Sequence, residues 1–241
     1  MRILALDSSG LVASVAIVEA GPVEQETIAE YTVNYKKTHS QTLLPMLDEV
    51  AKMIELDMES IDAIAVAAGP GSFTGLRIGS ATAKGLGLAL KKPLIHIPTL
   101  EGLAYNLCGT DKIVCPIMDA RRGQVYTGIY EFDGDELVIL EDQMAISVEE
   151  LGEKLQNVEK EIIFLGDGVP VFRDVLENRI MSGKKVSFVP ANMNRQRAAS
   201  VGALAVAYYR AGKIETAAEH QPDYLRVSQA ERERKERLGH D

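Results

Sequence analysis

Residues 3–18, ILALDSSGLVASVAIV, are the stretch of sequence that decides the fold. The apolar run Ile3–Leu6 ends at Asp7. A polar turn that contains Gly10 follows, and then a second apolar run, Val12–Val18. Two short apolar runs around a polar glycine turn are the usual signal of a β-hairpin. The sequence therefore predicts a hairpin whose first strand ends in an aspartate.

The same pattern returns in residues 113–132, IVCPIMDARRGQVYTGIYEF, where Asp119 ends the first strand and Gly123 lies in the turn. After each hairpin the chain predicts a third strand, a helix, a buried strand with a glycine exit, a second helix and a short strand. Each half ends in a further helix, predicted at Leu100–Cys108 and at Gln196–Arg210. The chain is therefore an internal duplication.

A duplicated unit of this kind predicts an α/β fold with two ribonuclease-H-like lobes, the plan of actins, sugar kinases and related ATPases. We place the N-terminal lobe at residues 1–109 and the C-terminal lobe at residues 110–214. Residues 215–241 form a C-terminal helix and charged tail, in which Ala230–Leu238 is predicted to be a solvated helix or to fray.

Composition excludes several classes of protein. The chain has 241 residues and a formal net charge of −9, so it offers few cations for direct binding of nucleic acid. No apolar stretch approaches the ~20 residues of a membrane span, and the N-terminal apolar run is too short for a signal peptide. The two cysteines form no CxxC pair and the four histidines are scattered, which argues against a zinc site. We expect a cytoplasmic protein without a membrane or metal partner of its own.

Asp7 and Asp119 are the candidate cofactor-binding residues. In this architecture a nucleotide lies between the lobes, and both carboxylates stand where they could reach Mg²⁺ or a water molecule. Aspartate also commonly caps its own turn by accepting a hydrogen bond from a backbone N–H. Both roles stay open for both residues, and the sequence offers no catalytic set.

The segment Gly69–Gly79, GPGSFTGLRIG, leaves a predicted buried strand and opens a helix. Free backbone N–H groups at a helix start can hold an anion. The segment lacks the Gly-Lys-Ser/Thr of a Walker A loop, which weakens the prediction of a phosphate site. The alternative is a tight turn that lets the helix pack closely.

Small residues recur along the helix that follows. A first stripe has a four-residue spacing and consists of Gly75, Gly79, Ala83 and Gly87. A second, neighbouring stripe consists of Ala81, Gly85 and Ala89. Glycine inside a helix costs about 1 kcal/mol relative to alanine, which close packing against another element can offset. That element could belong to the same lobe or to another chain.

Five segments together resemble one known family: ILALDSSG (3–10), KKTHSQTLLPMLDEV (36–50), AVAAGPGSFTGLRIG (65–79), MDARRGQVYTGIY (118–130) and PDYLR (222–226). On these segments the chain is identified as a member of the TsaB family, also called YeaZ. The family is similar to TsaD, whose members bind metal and nucleotide and transfer a threonylcarbamoyl group to N6 of adenosine 37 in tRNAs.

The resemblance implies a non-catalytic subunit that pairs with and activates a TsaD-like homologue in the formation of threonylcarbamoyladenosine (t6A). It further implies that a TsaE-like ATPase joins the assembly, that ATP and metal are bound by the partner subunits, and that tRNA is reached only through the complex. In the family the partner surface involves two helices, which correspond here to Ser40–Ile54 and Gly75–Leu90. The interface expected from them consists of Leu43, Leu47, Gly75, Leu76, Gly79, Ala83, Leu86, Gly87 and Leu90.

The sequence departs from TsaD at two places that matter for catalysis. The helix that carries a pair of histidine ligands in TsaD has no such pair within Ser40–Ile54. Arginines replace the expected glycine-rich phosphate turn at Arg121-Arg122-Gly123. Two alternatives stay open: an autonomous small-molecule phosphotransferase or ATPase that uses Asp7 and Asp119, and a homodimeric structural protein that associates through the same helices.

Overall fold

The predicted N-terminal hairpin is present in the computed structural model, which describes residues 1–226. The first sheet has the strand order β3-β2-β1-β4-β5, in which β1, β2 and β3 are antiparallel and β1, β4 and β5 are parallel. Its strands are β1 (Arg2–Asp7), β2 (Ala13–Ala20), β3 (Gln25–Val33), β4 (Ala63–Gly69) and β5 (Leu94–Pro98).

The second sheet repeats this arrangement strand for strand, in the order β8-β7-β6-β9-β10. Its strands are β6 (Ile113–Asp119), β7 (Gln124–Asp133), β8 (Glu136–Ser147), β9 (Ile162–Leu165) and β10 (Val186–Phe188). The predicted α/β fold with duplicated ribonuclease-H-like lobes is therefore confirmed. Strand β8 continues beyond the predicted end at Leu140, because β7 is long enough to pair with it up to Ser147.

The helices are α1 (His39–Met53), α2 (Phe73–Leu90), α3 (Thr99–Ala104), α4 (Val148–Leu155), α5 (Val169–Val175) and α6 (Ala198–Arg210). Ser72 caps α2 by accepting a hydrogen bond from the Gly75 N–H, and Ser147 and Glu150 form a capping box at the start of α4. Among residues 1–226 none of these helices has the length and apolar character of a membrane span.

Strand β1 is buried on both faces, which explains why its sequence is a continuous apolar run. Leu4 and Leu6 face α1 and α2, whereas Ile3 and Ala5 face α6. The face toward α6 is rich in alanine, so α6 approaches closely: a Cβ on Gly202 would lie 2.6 Å from Cγ2 of Val18.

The two helices that end the halves do not each complete their own sheet. Helix α6 from the second half packs on the first sheet through Val201, Leu204 and Ala205. Helix α3 from the first half lies between the sheets, and its Leu100 and Leu103 belong to an apolar cluster of the second sheet. The boundary between residues 109 and 110 stays a prediction, but the packing crosses it in both directions.

The first stripe of α2 faces its own lobe. A Cβ on Gly79 would lie 2.6 Å from Oγ of Ser8, and a Cβ on Gly75 would overlap the Ser8 carbonyl oxygen. Leu43, Leu47 and Ala83 of the expected interface are buried in the apolar cluster that contains Leu4 and Leu6, and Leu76 is buried as well. The close neighbour of Gly75 and Gly79 is therefore the N-terminal hairpin of the same lobe, which already occupies the space that a partner helix would need there.

The outward face of α2 carries the second stripe instead. Ala81, Gly85 and Ala89 are exposed, and no atom lies within 4 Å of a Cβ built on Gly85. Leu86 and Leu90 are half-buried at the border of the two faces. Involvement of α1 and α2 in partner contacts stays a prediction, and their outward faces are the surface that could make them.

Residues 215–226, called here the C-terminal strap, cross the N-terminal lobe toward the second hairpin. Glu215 forms a β-bridge with Leu94, and the Asp223 N–H donates to the Ala68 carbonyl at 2.7 Å. The strap ends with Arg226, whose Nη1 donates to the Ala120 carbonyl at 2.7 Å. The predicted helix or frayed segment within residues 230–238 lies outside the described residues.

Candidate functional site

A cleft of about 630 Å³ lies where the two hairpin turns face each other. The first hairpin, the loop that opens α2, the second hairpin and the C-terminal strap all contribute to its walls. The polar and charged side chains among its lining residues are Ser9, Lys37, Thr38, His39, Ser72, Thr74, Asp119, Arg121, Asp167, Asp223 and Arg226. The fold therefore forms the inter-lobe cleft expected from the duplicated architecture.

Asp7 is buried beneath the first turn and does not line the cleft. Its Oδ1 accepts hydrogen bonds from the Ser9 N–H at 2.9 Å and from the Ser9 hydroxyl at 2.7 Å. Burial raises the pKa of Asp7 to about 6, against the opposing effect of these two bonds. The carboxylate thus caps its own turn, as the structural interpretation of the sequence proposed.

Asp119 does line the cleft, but it makes the same kind of turn cap. Its Oδ1 accepts a hydrogen bond from the Arg121 N–H at 2.8 Å, and its Oδ2 lies 3.1 Å from Nη1 of Arg121. Oδ1 of Asp167 accepts a hydrogen bond from the Asp119 N–H at 3.0 Å, and burial raises the pKa of Asp167. The two hairpins therefore share one hydrogen bond, in which the aspartate accepts from the backbone N–H two residues later.

Arginines shape the second turn. Arg121 and Arg122 have φ angles of 66° and 57°, a left-handed conformation that favours glycine and is uncommon for other residues. Gly123 follows with a φ of 74°. The guanidinium of Arg121 stands at the cleft, where a nucleotide-binding turn would present backbone N–H groups to phosphate.

The Gly69–Gly79 segment serves as a tight packing element. The Ser72 N–H donates to the Ser9 carbonyl at 2.7 Å, and a Cβ on Gly71 would overlap that same carbonyl. Gly69 has a φ of 131° and packs against the backbone of Asp223 in the strap. These contacts support the tight turn over the phosphate site, because the loop is held by the hairpin and the strap.

His39 is placed at the cleft by the start of α1. Its Nε2 lies 2.8 Å from the Gly10 carbonyl, while its Nδ1 is buried without a hydrogen-bond partner among the described residues. No second histidine occurs in α1, so the helix offers no pair of metal ligands to the cleft.

A different cluster was not foreseen from the sequence. The separation of the histidines argues against a metal site, yet the fold brings His96, Glu215 and His220 together beside β5. Glu215 and His220 are five residues apart, but His96 lies on a strand of the first half. No local spacing could signal this cluster, because it depends on the strap folding back over the edge of the sheet.

Two ribonuclease-H-like lobes with a cleft at their paired hairpin turns define the actin-like and sugar-kinase-like class of proteins. A family model described as "TsaD: tRNA N6-adenosine threonylcarbamoyltransferase" matches residues 26–234. The chain is 32% identical over 96% of its length to the Bacillus subtilis tRNA threonylcarbamoyladenosine biosynthesis protein TsaB, 96% of which is covered. The chain belongs to the TsaB family.

Two further proteins agree with this assignment. The Escherichia coli tRNA threonylcarbamoyladenosine biosynthesis protein TsaB is 32% identical over 73% of this chain and 75% of its own length. A Pseudomonas aeruginosa crystal structure, described as an uncharacterized protein with similarity to peptidase YEAZ, has a TM-score of 0.78 and 25% identity. That structure covers 93% of this chain, and 99% of it is matched.

Proposed function

We propose that this chain is a non-catalytic subunit that pairs with and activates a TsaD-like homologue in threonylcarbamoyl transfer to N6 of adenosine 37 of tRNA. The observation that carries the proposal is the state of the two turns. Asp7 and Asp119 both cap their own hairpins. Arg121 pairs with Asp119 and stands at the cleft, where a nucleotide-binding turn would contact phosphate. ATP and the metal that accompanies it then belong to the partner subunits, including a TsaE-like ATPase, and tRNA is reached through the complex.

Binding of Mg²⁺ in the cleft is disfavoured because the ion would have to replace the bonds that both aspartates already make. Magnesium demands near-ideal octahedral oxygen ligands and is usually held by one or two carboxylates together with phosphates. Asp7 is buried away from the cleft, and Asp119 is paired with Arg121. The rival phosphotransferase or ATPase would need both turns to rearrange before it could act.

The isolated chain should therefore show negligible ATPase activity with Mg²⁺. A steady-state phosphate-release assay on wild type and Asp119→Asn measures this, and both proteins should give the background rate. Turnover above about 1 s⁻¹ in the wild type that is lost in Asp119→Asn would favour the autonomous enzyme, because competent enzymes commonly reach 1–10³ s⁻¹.

The outward faces of α1 and α2 are the surface that we assign to the TsaD-like partner. Leu44 on α1 and Leu88 on α2 are large apolar side chains that are 52% and 69% exposed. Ala81 and Gly85 are exposed on the same helix as Leu88, and their small size allows another helix to approach the α2 backbone closely. Small residues beside exposed leucines suit the packing of a partner helix. Homodimers could use the same face when the partner is absent.

Gly85→Leu should weaken pairing with a TsaD-like partner by at least about 2 kcal/mol, roughly 30-fold, because the new side chain holds the partner helix away from α2. Isothermal titration calorimetry with the purified partner measures the affinity. Lys160→Ala is the matched control, because Lys160 is exposed in the second lobe, outside α1 and α2, and its Nζ pairs with Glu131.

The control should bind like the wild type, and neither variant should melt below the wild-type temperature. Unchanged affinity of Gly85→Leu would remove α2 from the interface. Failure of the wild-type chain to bind any TsaD-like protein from its own cell would contradict the proposed function itself.

A further inference from the structure

Three potential metal ligands meet where the C-terminal strap crosses β5, the edge strand of the first sheet. One ligand atom from each of His96, Glu215 and His220 lies within 4.8 Å of the others. Two backbone hydrogen bonds between Leu94 and Glu215 fix the strap against the strand at this point. The cluster is therefore built on paired backbone and is separate from the inter-lobe cleft.

The ring nitrogens divide into an inner and an outer set. Nδ1 of His220 lies 2.5 Å from Oε1 of Glu215, and Nδ1 of His96 lies 3.9 Å from the same oxygen. The opposite nitrogens point to other groups: Nε2 of His96 lies 3.1 Å from Oδ2 of Asp223, and Nε2 of His220 lies 3.0 Å from Oγ of Ser80. Both rings are thus oriented with Nδ1 toward a common carboxylate.

This is the arrangement found around metal-binding histidines. Such a histidine almost always donates its second ring N–H to a carboxylate, a backbone carbonyl or water, which fixes the tautomer and the ring orientation. Asp223 occupies this position beside His96, and the Ser80 hydroxyl contacts the corresponding nitrogen of the fully buried His220. A simple hydrogen bond between Glu215 and His220 would not explain why His96 also directs Nδ1 toward Glu215 and Nε2 toward Asp223.

We propose that Nδ1 of His96, Nδ1 of His220 and Oε1 of Glu215 bind a divalent transition-metal ion, for which Zn²⁺ is the best match. Two imidazoles and one carboxylate are ligands that Zn²⁺ prefers, and a fourth position is left for water. Ligand atoms at about 2.0–2.1 Å from a tetrahedral ion stand about 3.3 Å apart. The two Nδ1–Oε1 separations of 2.5 and 3.9 Å bracket that value, and one ligand atom from each of the three residues lies within 4.8 Å of the others, so the side chains would have to shift to hold the ion.

The charges around the cluster favour a cation. Glu215 and Asp223 supply two carboxylates beside the two imidazole rings. Lys84 is the nearby cation, and its Nζ donates to the His220 carbonyl at 2.9 Å, so it holds the backbone of the strap. A bound ion would cross-link β5 to the strap, which continues from Asp223 to the wall of the cleft.

Zinc titration of the metal-stripped full chain, followed by calorimetry, tests the site. The wild type should bind one Zn²⁺ with a Kd below about 1 μM, and saturating Zn²⁺ at about 1,000 times Kd should raise Tm by about 10 °C. Cobalt(II) in place of Zn²⁺ should give the visible absorption of a tetrahedral site. His96→Ala and the isosteric Glu215→Gln should each weaken Zn²⁺ binding by more than about 100-fold and abolish that absorption.

Two further variants separate a designed site from incidental binding. Asp223→Asn should weaken binding by about 10–100-fold, because it alters only the group that orients His96. His39→Ala removes a histidine outside the cluster and should bind Zn²⁺ like the wild type. The proposal is overturned if the wild type shows no 1:1 binding, or if His96→Ala and Glu215→Gln, both folded by circular dichroism, keep its affinity and cobalt spectrum.

Discussion

Gly79→Leu should lower the free energy of unfolding by about 3 kcal/mol and the melting temperature by roughly 6–12 °C. A leucine side chain there would start 2.6 Å from Oγ of Ser8 and 3.6 Å from Cγ2 of Val66, inside a packed core. The hairpin turn cannot move away easily, because Oγ of Ser8 also donates to the Gly75 carbonyl at 2.9 Å. Thermal melting followed by circular dichroism measures the change.

Gly85→Leu is the matched comparison in the same helix. Gly85 faces solvent with no atom within 4 Å of a built Cβ, so leucine should gain up to about 1 kcal/mol from its better helix propensity. A Gly79→Leu protein that melts at the wild-type temperature would show that the first stripe does not pack against the hairpin. Gly75→Ala extends the test with a single methyl group, because its Cβ would overlap the Ser8 carbonyl.

The fragment of residues 1–109 should fail to fold on its own. It contains the whole first sheet but lacks α6, whose Val201, Leu204 and Val206 are buried. Burial of three such side chains contributes roughly 5–9 kcal/mol, which is comparable with the whole stability of a typical domain. The fragment should therefore show no cooperative thermal transition and should bind a dye specific for exposed apolar surface.

Addition of α6 supplies the control for this experiment. A fusion of residues 1–109 to residues 196–214 through a flexible linker should recover a cooperative transition, because the helix can then cover the alanine-rich face. A sharp melting transition in the unfused fragment would instead show that the N-terminal lobe is an independent unit, as its sequence boundaries suggest.

The fold could be predicted from the sequence because the decisive information is local and repeated. Two hairpins with an aspartate at the end of the first strand and a glycine in the turn mark both lobes, and each is present with equivalent pairing. Element types follow from apolar periodicity in the same way. The family assignment also rests on segments that can be read directly from the chain.

The neighbour that each helix face packs against could not be predicted in the same way. The four-residue spacing of Gly75 and Gly79 shows that something approaches closely, but periodicity is identical whether the neighbour is the hairpin or another chain. Only the positions of Ser8 and Val66 in the fold show that the neighbour of Gly79 belongs to the same lobe. The same holds for α3 and α6, since the amphipathic pattern of a helix does not name the sheet that it covers.

The roles of the two aspartates and the existence of the histidine cluster could not be predicted from the sequence either. Asp7 and Asp119 each had two possible roles, and the hydrogen bonds of Ser9 and Arg121 favour the structural one. The grouping of His96 with His220 depends on the path of the strap, which no spacing in the sequence encodes.

Because α6 comes from the second half of the chain but packs on the first sheet, that sheet cannot be covered until late in synthesis on the ribosome. Strand β5 ends at Pro98, but α6 is complete only at Arg210. At a translation rate of about 5–20 residues per second, the sheet waits roughly 5–20 s for its covering helix. During that interval the nascent chain leaves uncovered the alanine- and valine-rich face that α6 buries in the finished fold, so we expect the N-terminal half to need protection from aggregation until the last helix emerges.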